Sequence, residues 1–420
     1  MPTMADHSTD ASVFLFSPSF LLDCQIGFYR PSIRQVDAST SNLSTKESLW
    51  IFIPIFYLAY VKNGGANTAL IPTDHVYGEI VRQMEDAGKM KAAICPKYGP
   101  PEILELAELE TPQPNNNEVL IRNYGSSINT IDVSTRGGKA PQAIFGGARQ
   151  LIGLLLRFSY GGLRRPKQRI LGCGFAGKIE KLGKDVEDWQ VGDTVYGYYE
   201  AACAEYLTVP ADKLAQKPVN LSFHEASAVP GGASPALAAF RDVARPEKGQ
   251  KVLIIGASGG IGTFGVQIAK HVYGAEVTAV CGPTNLDMVK SIGADFAIDY
   301  TQEDYSKNGQ QYDIIFDAIG ANTLSKCKNI LTDEGVYVTN NPMTSPRTLL
   351  NLMTNPFRKK KLKSCMADES AEALELLRDW IEAGKVMPVI DTVYSLSQTA
   401  EAHRHYETGH AKGRIVISIE

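Results

Sequence analysis

Paired cysteines, a one-sided charge and a long apolar run are all missing from this 420-residue sequence, and each absence removes a class of protein. The seven cysteines (Cys24, Cys95, Cys173, Cys203, Cys281, Cys327 and Cys365) are scattered, odd in number and contain no CxxC pair. Neither a disulfide framework nor a cysteine-rich structural zinc site is therefore expected, and reduced thiols in a cytoplasmic protein fit better. The net charge is −4, so no overall basic field invites nucleic acid or anionic lipid. The basic cluster Arg358-Lys359-Lys360-Lys361-Leu362-Lys363 reads as a solvated loop or strand end. The apolar run at residues 49–61 is shorter than the roughly 20 apolar residues of a spanning helix, and Pro54 sits near its middle. It also lies far from Met1, and the first basic side chain apart from His7 is Arg30, which is not the layout of a signal peptide. Membrane contact is not expected, and no internal repeat is visible.

What is present reads as two folded domains behind a different kind of segment. Hydrophobic residues make up 44% and charged residues 21%, ordinary values for globular domains that each bury a core. Residues 1–89 stand apart. They are Ser/Thr-rich up to residue 48 and show no sustained periodicity. Three readings stay open for them: an upstream stretch outside the functional protein, a disordered extension with a sticky patch, or a membrane anchor. The first makes Met90 the working start. From there, strands are expected at 91–96, 103–109, 118–124, 175–181, 194–199 and 205–209, with Gly- and Pro-rich turns between them. That pattern suggests a small barrel-like β domain. Residues 140–168 interrupt it with an expected short helix at 151–158 and the basic run Arg164-Arg165-Pro166-Lys167. This is a surface insertion, a lid over a substrate pocket or a membrane-surface contact.

Near residue 224 the pattern changes. Residues 224–243 are Ala-rich and helical in character but broken by Pro230, Gly231, Gly232 and Pro235. Strands then alternate with helices: strand 251–257, helix 261–273, strand 276–281, helix 286–292, strand 296–299, strand 312–318, helix 323–331 and strand 335–339. Apolar strands alternating with helices indicate an α/β fold with a doubly wound parallel sheet. A helix at 370–382 and a strand at 414–419 close the chain.

The strongest motif is Lys251-Val252-Leu253-Ile254-Ile255-Gly256-Ala257-Ser258-Gly259-Gly260-Ile261-Gly262. An apolar strand runs into a Gly-rich turn and then a helix, the order a dinucleotide's pyrophosphate requires. Glycines permit the tight turn and a close backbone approach, and the helix N-terminus offers free N–H groups. Gly256, Ala257, Ser258, Gly259, Gly260, Ile261 and Gly262 are the expected cradle of a Rossmann domain. At the end of the next strand the sequence reads Val280-Cys281-Gly282-Pro283-Thr284-Asn285. No carboxylate stands there to take the ribose 2′-hydroxyl of NAD, so NADP(H) is favoured over NAD(H). No Arg or Lys stands in the turn either; Cys281, Thr284 and Asn285 are the candidates beside the ribose, with Lys290 more remote.

With these residues in place, the chain resembles the medium-chain dehydrogenase/reductase superfamily over residues 90–420, and its zinc-independent quinone oxidoreductase-like branch most of all. The matching pieces come in the family's order: Met90-Lys91-Ala92, Ser127-Ile128-Asn129-Thr130-Ile131-Asp132, Leu171-Gly172-Cys173-Gly174-Phe175-Ala176-Gly177, Val191-Gly192-Asp193-Thr194-Val195-Tyr196-Gly197, the glycine motif, Ile292-Gly293-Ala294-Asp295 and Gly413-Arg414-Ile415-Val416. The resemblance implies a Rossmann domain at 219–371 inserted into a GroES-like β domain built from 90–218 and 372–420, with the active site in the cleft between. It implies that Asn129 faces nicotinamide and substrate, that Asp132 is structural, and that Tyr300, Ala318, Ile319 and Gly320 edge the cofactor. Tyr196, Tyr198 and Tyr199 are candidates for the cleft wall. Zinc-dependent relatives carry Cys, then His-Glu, then Cys in that cleft. Here Cys173 stands alone, so no zinc is expected, and His403 and His405 read as exposed helix residues. Two departures stand out: Gly174 where the family commonly has an acid, and Pro235 where it often has Thr nearby. The implied activity is hydride transfer from NADPH to a quinone, activated alkene or carbonyl, with a non-catalytic NADPH-binding protein on the same fold as the alternative. The expected partner is a small-molecule substrate, and resemblance to dimeric relatives leaves a homodimer open.

Overall fold

The structure is a computed structural model and describes residues 88–138, 165–320, 324–340 and 361–420. The extension up to residue 87, the helix expected at 151–158, and Arg358, Lys359 and Lys360 lie outside them.

In chain order the strands are β1 (Lys89–Ile94), β2 (Glu105–Glu110), β3 (Glu118–Ser127), β4 (Gly174–Leu182), β5 (Thr194–Tyr198), β6 (Tyr206–Pro210), β7 (Leu214–Gln216), β8 (Lys251–Ile255), β9 (Glu276–Cys281), β10 (Phe296–Asp299), β11 (Tyr312–Asp317), β12 (Leu331–Thr339), β13 (Lys361–Ser364), β14 (Ile390–Ser395) and β15 (Arg414–Ser418). β1 and β2 pair antiparallel as a separate two-stranded sheet. A seven-stranded sheet runs β14-β15-β3-β4-β5-β7, with β6 also paired to β3. Strands from both ends of the described chain thus meet in it: Val416 of β15 lies opposite Ser127 of β3.

Between those ends lies a six-stranded, wholly parallel sheet in the order β10-β9-β8-β11-β12-β13. This is the doubly wound order, in which the chain leaves β8 to one side and returns to its other side at β11. β8 is Lys-Val-Leu-Ile-Ile, with four of its five residues buried. A central parallel strand covered on both faces demands such a run of apolar, mostly β-branched residues. The helix Ala371–Glu382 shows the other periodicity. Ala373, Leu374, Leu377 and Ile381 are its buried face, and the Ser370 hydroxyl caps it by accepting from Ala373 N at 3.3 Å.

Three local expectations change. The Ala-rich segment is not broken at its prolines and glycines: helices Phe223–Ala228 and Pro230–Leu237 and a π-type stretch Ala238–Ala244 follow one another through a helical Val229. Pro230 occupies the first helical position, where its missing N–H costs nothing. Gly232 is demanded by packing, since a Cβ there would lie 2.3 Å from the Gly260 carbonyl oxygen. The helix expected at 323–331 ends at Cys327, passes through a 3-10 turn and gives way to β12 at Leu331. Leu331 pairs with Tyr312, and the register then jumps to Val336 opposite Ile314, so β12 begins four residues early with an irregularity. His403, expected on an exposed face, is fully buried on the helix Thr399–Glu407. The face that holds Thr399, Ala402 and His403 turns inward. His405 is half-buried, its Nδ1 at 3.1 Å from the Tyr394 hydroxyl.

Candidate active site

Parallel strands put their carboxyl ends on one edge, and the expected cofactor residues follow from that. Ile255 pairs with Val280 and with Asp317, and Cys281 pairs with Asp299. Gly256, Cys281, Tyr300 and Ala318 therefore leave the sheet side by side. Gly256 turns at φ 78°, a conformation costly for any residue with a Cβ. At Gly262, a Cβ would stand 2.1 Å from the Gly256 carbonyl oxygen and 2.7 Å from the Ala257 Cα. The turn is thus wound tightly enough that its main chain, not its side chains, forms the surface. It delivers into the helix Gly262–Gln267, which continues as Ile268–Val272. The first N–H groups of a helix lack intrahelical partners and carry partial positive charge, which suits a pyrophosphate. Asp317 braces the opposite lip, its carboxylate accepting from Ile319 N at 3.2 Å, Gly320 N at 2.9 Å and the Tyr337 hydroxyl at 2.7 Å.

Asn129 sits across from this turn, held from two sides. It precedes the helix Thr130–Gly137, and Asp132 in the first turn of that helix reaches back to accept from Asn129 N at 2.8 Å, as in half of a capping box. The other Asp132 oxygen accepts from Gly172 N at 2.8 Å. Burial pushes the Asp132 carboxyl up to about 6, while these two N–H groups and the Arg414 guanidinium pull it down. The Asn129 side chain is fixed separately. Its Oδ1 accepts from Arg414 Nη2 at 2.5 Å, and its Nδ2 donates to the Ser127 carbonyl at 3.3 Å. Arg414 also donates to Ser127 Oγ at 3.0 Å and is 5% exposed. Burial lowers its guanidinium from the ordinary value, though an arginine stays a cation at any working pH.

A cleft of about 740 Å³ joins the two halves. From the expected cofactor set it takes in Gly256, Gly259, Gly260, Ile261, Gly262, Ala318 and Ile319, and it takes in Asn129. Ala257, Ser258, Gly320, Cys281, Thr284, Asn285 and Tyr300 do not line it. Ala257 is buried, and the Ser258 carbonyl is taken by Gly413 N at 2.8 Å. Cys281 and Asn285 are buried beyond the rim, while Thr284 and Tyr300 are exposed there. Of the three tyrosines, Tyr198 lines the cleft. Tyr196 is buried with its hydroxyl on the Leu374 carbonyl at 2.6 Å, and Tyr199 packs against an apolar cluster. Ile131, Val133, Pro235 and Ile319 give the cleft an apolar wall.

Two wall residues carry chemistry that sequence reading missed, Arg414 and Glu369. Burial first, then the neighbouring Asp368, pushes the Glu369 carboxyl up to about 7 against the pull of Lys213. The departure at Gly174 has a steric reason. A Cβ there would lie 2.4 Å from the Ser227 carbonyl oxygen and 2.6 Å from Ser127 Oγ, so no acidic side chain fits. Among the described residues no group of three or more His, Cys, Asp or Glu could hold a metal ion. Cys173 is buried with its thiol 3.8 Å from Asp132.

The comparisons with known proteins agree with this layout. Residues 115–219 match the alcohol dehydrogenase GroES-like domain family and residues 292–417 the zinc-binding dehydrogenase family. The chain is 29% identical over 345 residues to an NADPH-dependent alkenal/one oxidoreductase of Arabidopsis thaliana, covering 78% of this chain and 79% of that protein. It is 30% identical over 343 residues to 2-methylene-furan-3-one reductase of Solanum lycopersicum, with the same coverage. The structure of the quinone oxidoreductase from Coxiella burnetii is similar with a TM-score of 0.68 and 28% identity, over 79% of this chain and 100% of that one.

Proposed function

Because this chain belongs to the quinone oxidoreductase-like branch of the medium-chain dehydrogenase/reductase superfamily and is an NAD(P)H-dependent oxidoreductase, we propose that it reduces quinones, activated alkenes or carbonyls with NADPH and without zinc. The observation that carries this reading is the single cleft in which the glycine turn, Asn129 and an apolar wall meet. Bound nicotinamide supplies hydride. The chain holds the acceptor against the apolar wall, where the Asn129 Nδ2–H polarises its oxygen. Electron-poor acceptors need no Lewis acid, so a cleft with no ligand trio among the described residues suits them. The names of the alkenal/one oxidoreductase and the quinone oxidoreductase support that acceptor class.

NADPH is preferred in this reading because the turn after β9 carries no carboxylate. Asp299, beside Cys281 on the next strand, is turned to Thr301, accepting from its N at 2.9 Å and its Oγ1 at 2.8 Å. No described helix is long and apolar enough to cross a membrane. The six described cysteines are free and buried, which suits a reducing compartment such as the cytoplasm.

The deciding assay follows NADPH oxidation by protein starting at Met90 with a panel of quinones, enones and aldehydes, NADH alongside. Turnover on quinones or enones with NADPH preferred is the expected result. Folded protein that binds NADPH and reduces nothing would favour the non-catalytic alternative instead.

Reduction of an enone also requires a proton after the hydride, and Glu369 lines the cleft with a carboxyl that keeps its proton up to about 7. Tyr198, Asp368 and Lys213 are the titratable groups around it. An acid that donates works below its pKa and stops above it. The rate on an enone is therefore expected to fall as pH rises through about 7. In Glu369→Gln the fall disappears and the rate at pH 6 drops on the order of a hundredfold. A variant that keeps the wild-type pH profile removes Glu369 from proton delivery.

A further inference from the structure

We infer that Arg414 is the positioning residue that locks Asn129 as a hydrogen-bond donor toward the cleft, and so selects acceptors that carry an oxygen lone pair on the reacting carbon or conjugated to it. This rests on the reductase reading above. A free carboxamide can turn over and show either its oxygen or its NH₂. Here the oxygen is committed to Arg414 Nη2 at 2.5 Å, while the NH₂ uses one proton on the Ser127 carbonyl at 3.3 Å. The flipped amide would set its NH₂ against a guanidinium that can only donate, and its oxygen against the Ser127 carbonyl oxygen. Both contacts would become repulsive, so the flip is closed and the second Nδ2–H is left for a ligand.

The arrangement is costly for mere packing. Arg414 is 5% exposed, its hydrogen bonds from Nη2 go to neutral Ser127 and Asn129, and its Nε is buried without a partner among the described residues. Desolvating a cation whose hydrogen bonds go to neutral groups, with the Asp132 carboxyl attracting it only through space, is unfavourable compared with an apolar side chain of similar volume. The surroundings are nonetheless shaped around the pair. A Cβ on Gly231 would lie 2.6 Å from Asn129 Oδ1 and 2.9 Å from Arg414 Nη2, and one on Gly260 would lie 2.8 Å from Arg414 Cδ. Arg414 thus runs under the cofactor turn and ends on the amide that meets the substrate. Quinones, enones and aldehydes present the required oxygen; an isolated alkene does not.

The test is a double-mutant cycle on the full chain with R414M, R414K, N129L and N129L/R414M, read in two ways. The kinetic reading uses NADPH and an enone. R414M is expected to lower kcat about ten- to a hundredfold, the range a charge-assisted hydrogen bond spans, with the NADPH Kd from fluorescence titration within about threefold of wild type. R414K recovers part of the loss, and R414M added to N129L costs nothing more. The second reading is thermal unfolding, where the double variant should lose less than the sum of the singles. Should R414M not fold, R414Q carries the same cycle. Additive losses in both readings overturn the assignment. A wild type that reduces no acceptor, with coupling still present in unfolding, overturns the reductase reading and leaves the Arg414–Asn129 lock standing.

Discussion

Protein carrying Gly262→Ala is expected to melt well below wild type, whereas Gly259→Ala should melt with wild type and fail at the cofactor instead. Alanine inside a helix ordinarily gains up to about 1 kcal/mol over glycine. At residue 262 that gain is overridden. The new Cβ would stand 2.1 Å from the Gly256 carbonyl oxygen, 2.7 Å from the Ala257 Cα and 2.8 Å from the Gly256 carbonyl carbon. All three are main-chain atoms that no rotamer change can move aside. Overpacking of this kind costs roughly 2 kcal/mol or more after the helix gain is subtracted, which lowers Tm by about 4 °C or more in a chain of this size. At Gly259 the nearest atom to an added Cβ is the Gly256 oxygen at 3.5 Å, an ordinary contact, so the fold accepts the methyl. That methyl stands on a residue lining the cleft. If the pyrophosphate lies on this turn, a steric cost of about 1–3 kcal/mol weakens NADPH about five- to 150-fold. Fluorescence titration of NADPH into both variants, with melting curves alongside, checks the pair. Unchanged affinity in folded Gly259→Ala would place the cofactor elsewhere.

That glycine turn was legible because its parts are contiguous: the strand, the turn and the helix follow one another in the chain, and period and composition report each. The parallel sheet was legible for the same reason. Asn129 came into view only through resemblance, since a lone asparagine has no periodic signature. Arg414 and Glu369 did not come into view as site residues. The Arg414–Asn129 contact spans 285 positions, and nothing local in Gly-Arg-Ile-Val distinguishes a strand's first residue from the floor of a cleft. Pro230 misled because a breaker is judged by average cost, whereas it occupies the first helical position, which tolerates it; Pro235 sits inside the same helix. His403 misled for a related reason. Its neighbours Glu401, Arg404 and Glu407 make the helix read as polar, yet Thr399, Ala402 and His403 recur at helical spacing, and that spacing marked the inward face.

His403 is also where pH should act most strongly on stability. Its imidazole is fully buried, neither ring nitrogen has a hydrogen-bond partner among the described residues, and burial, with help from the Arg136 cation, pushes its pKa down to about 3 from 6.5. The unfolded chain takes up a proton on this ring below pH 6.5 and the folded one does not, so the stability His403 permits is present above 6.5 and is lost as pH falls toward 3. By pH 5 the loss reaches about 2 kcal/mol. Asp132 acts in the opposite sense. Its folded pKa of about 6 exceeds the ordinary 3.8, so its contribution is full below 3.8 and lost as pH rises through 6, which partly masks the histidine in the wild type. Substitution separates them. His403→Leu fills similar space, removes two unpartnered nitrogens and leaves Asp132 in place, so at pH 7.5 it should be at least as stable as wild type. Between pH 7.5 and 5 the variant's advantage should grow by about 2 kcal/mol, read as a widening gap between the two melting or urea curves. A gap that stays constant over that range would mean the ring titrates alike folded and unfolded, and that water reaches a side chain otherwise enclosed beside the Arg136–Glu407 pair.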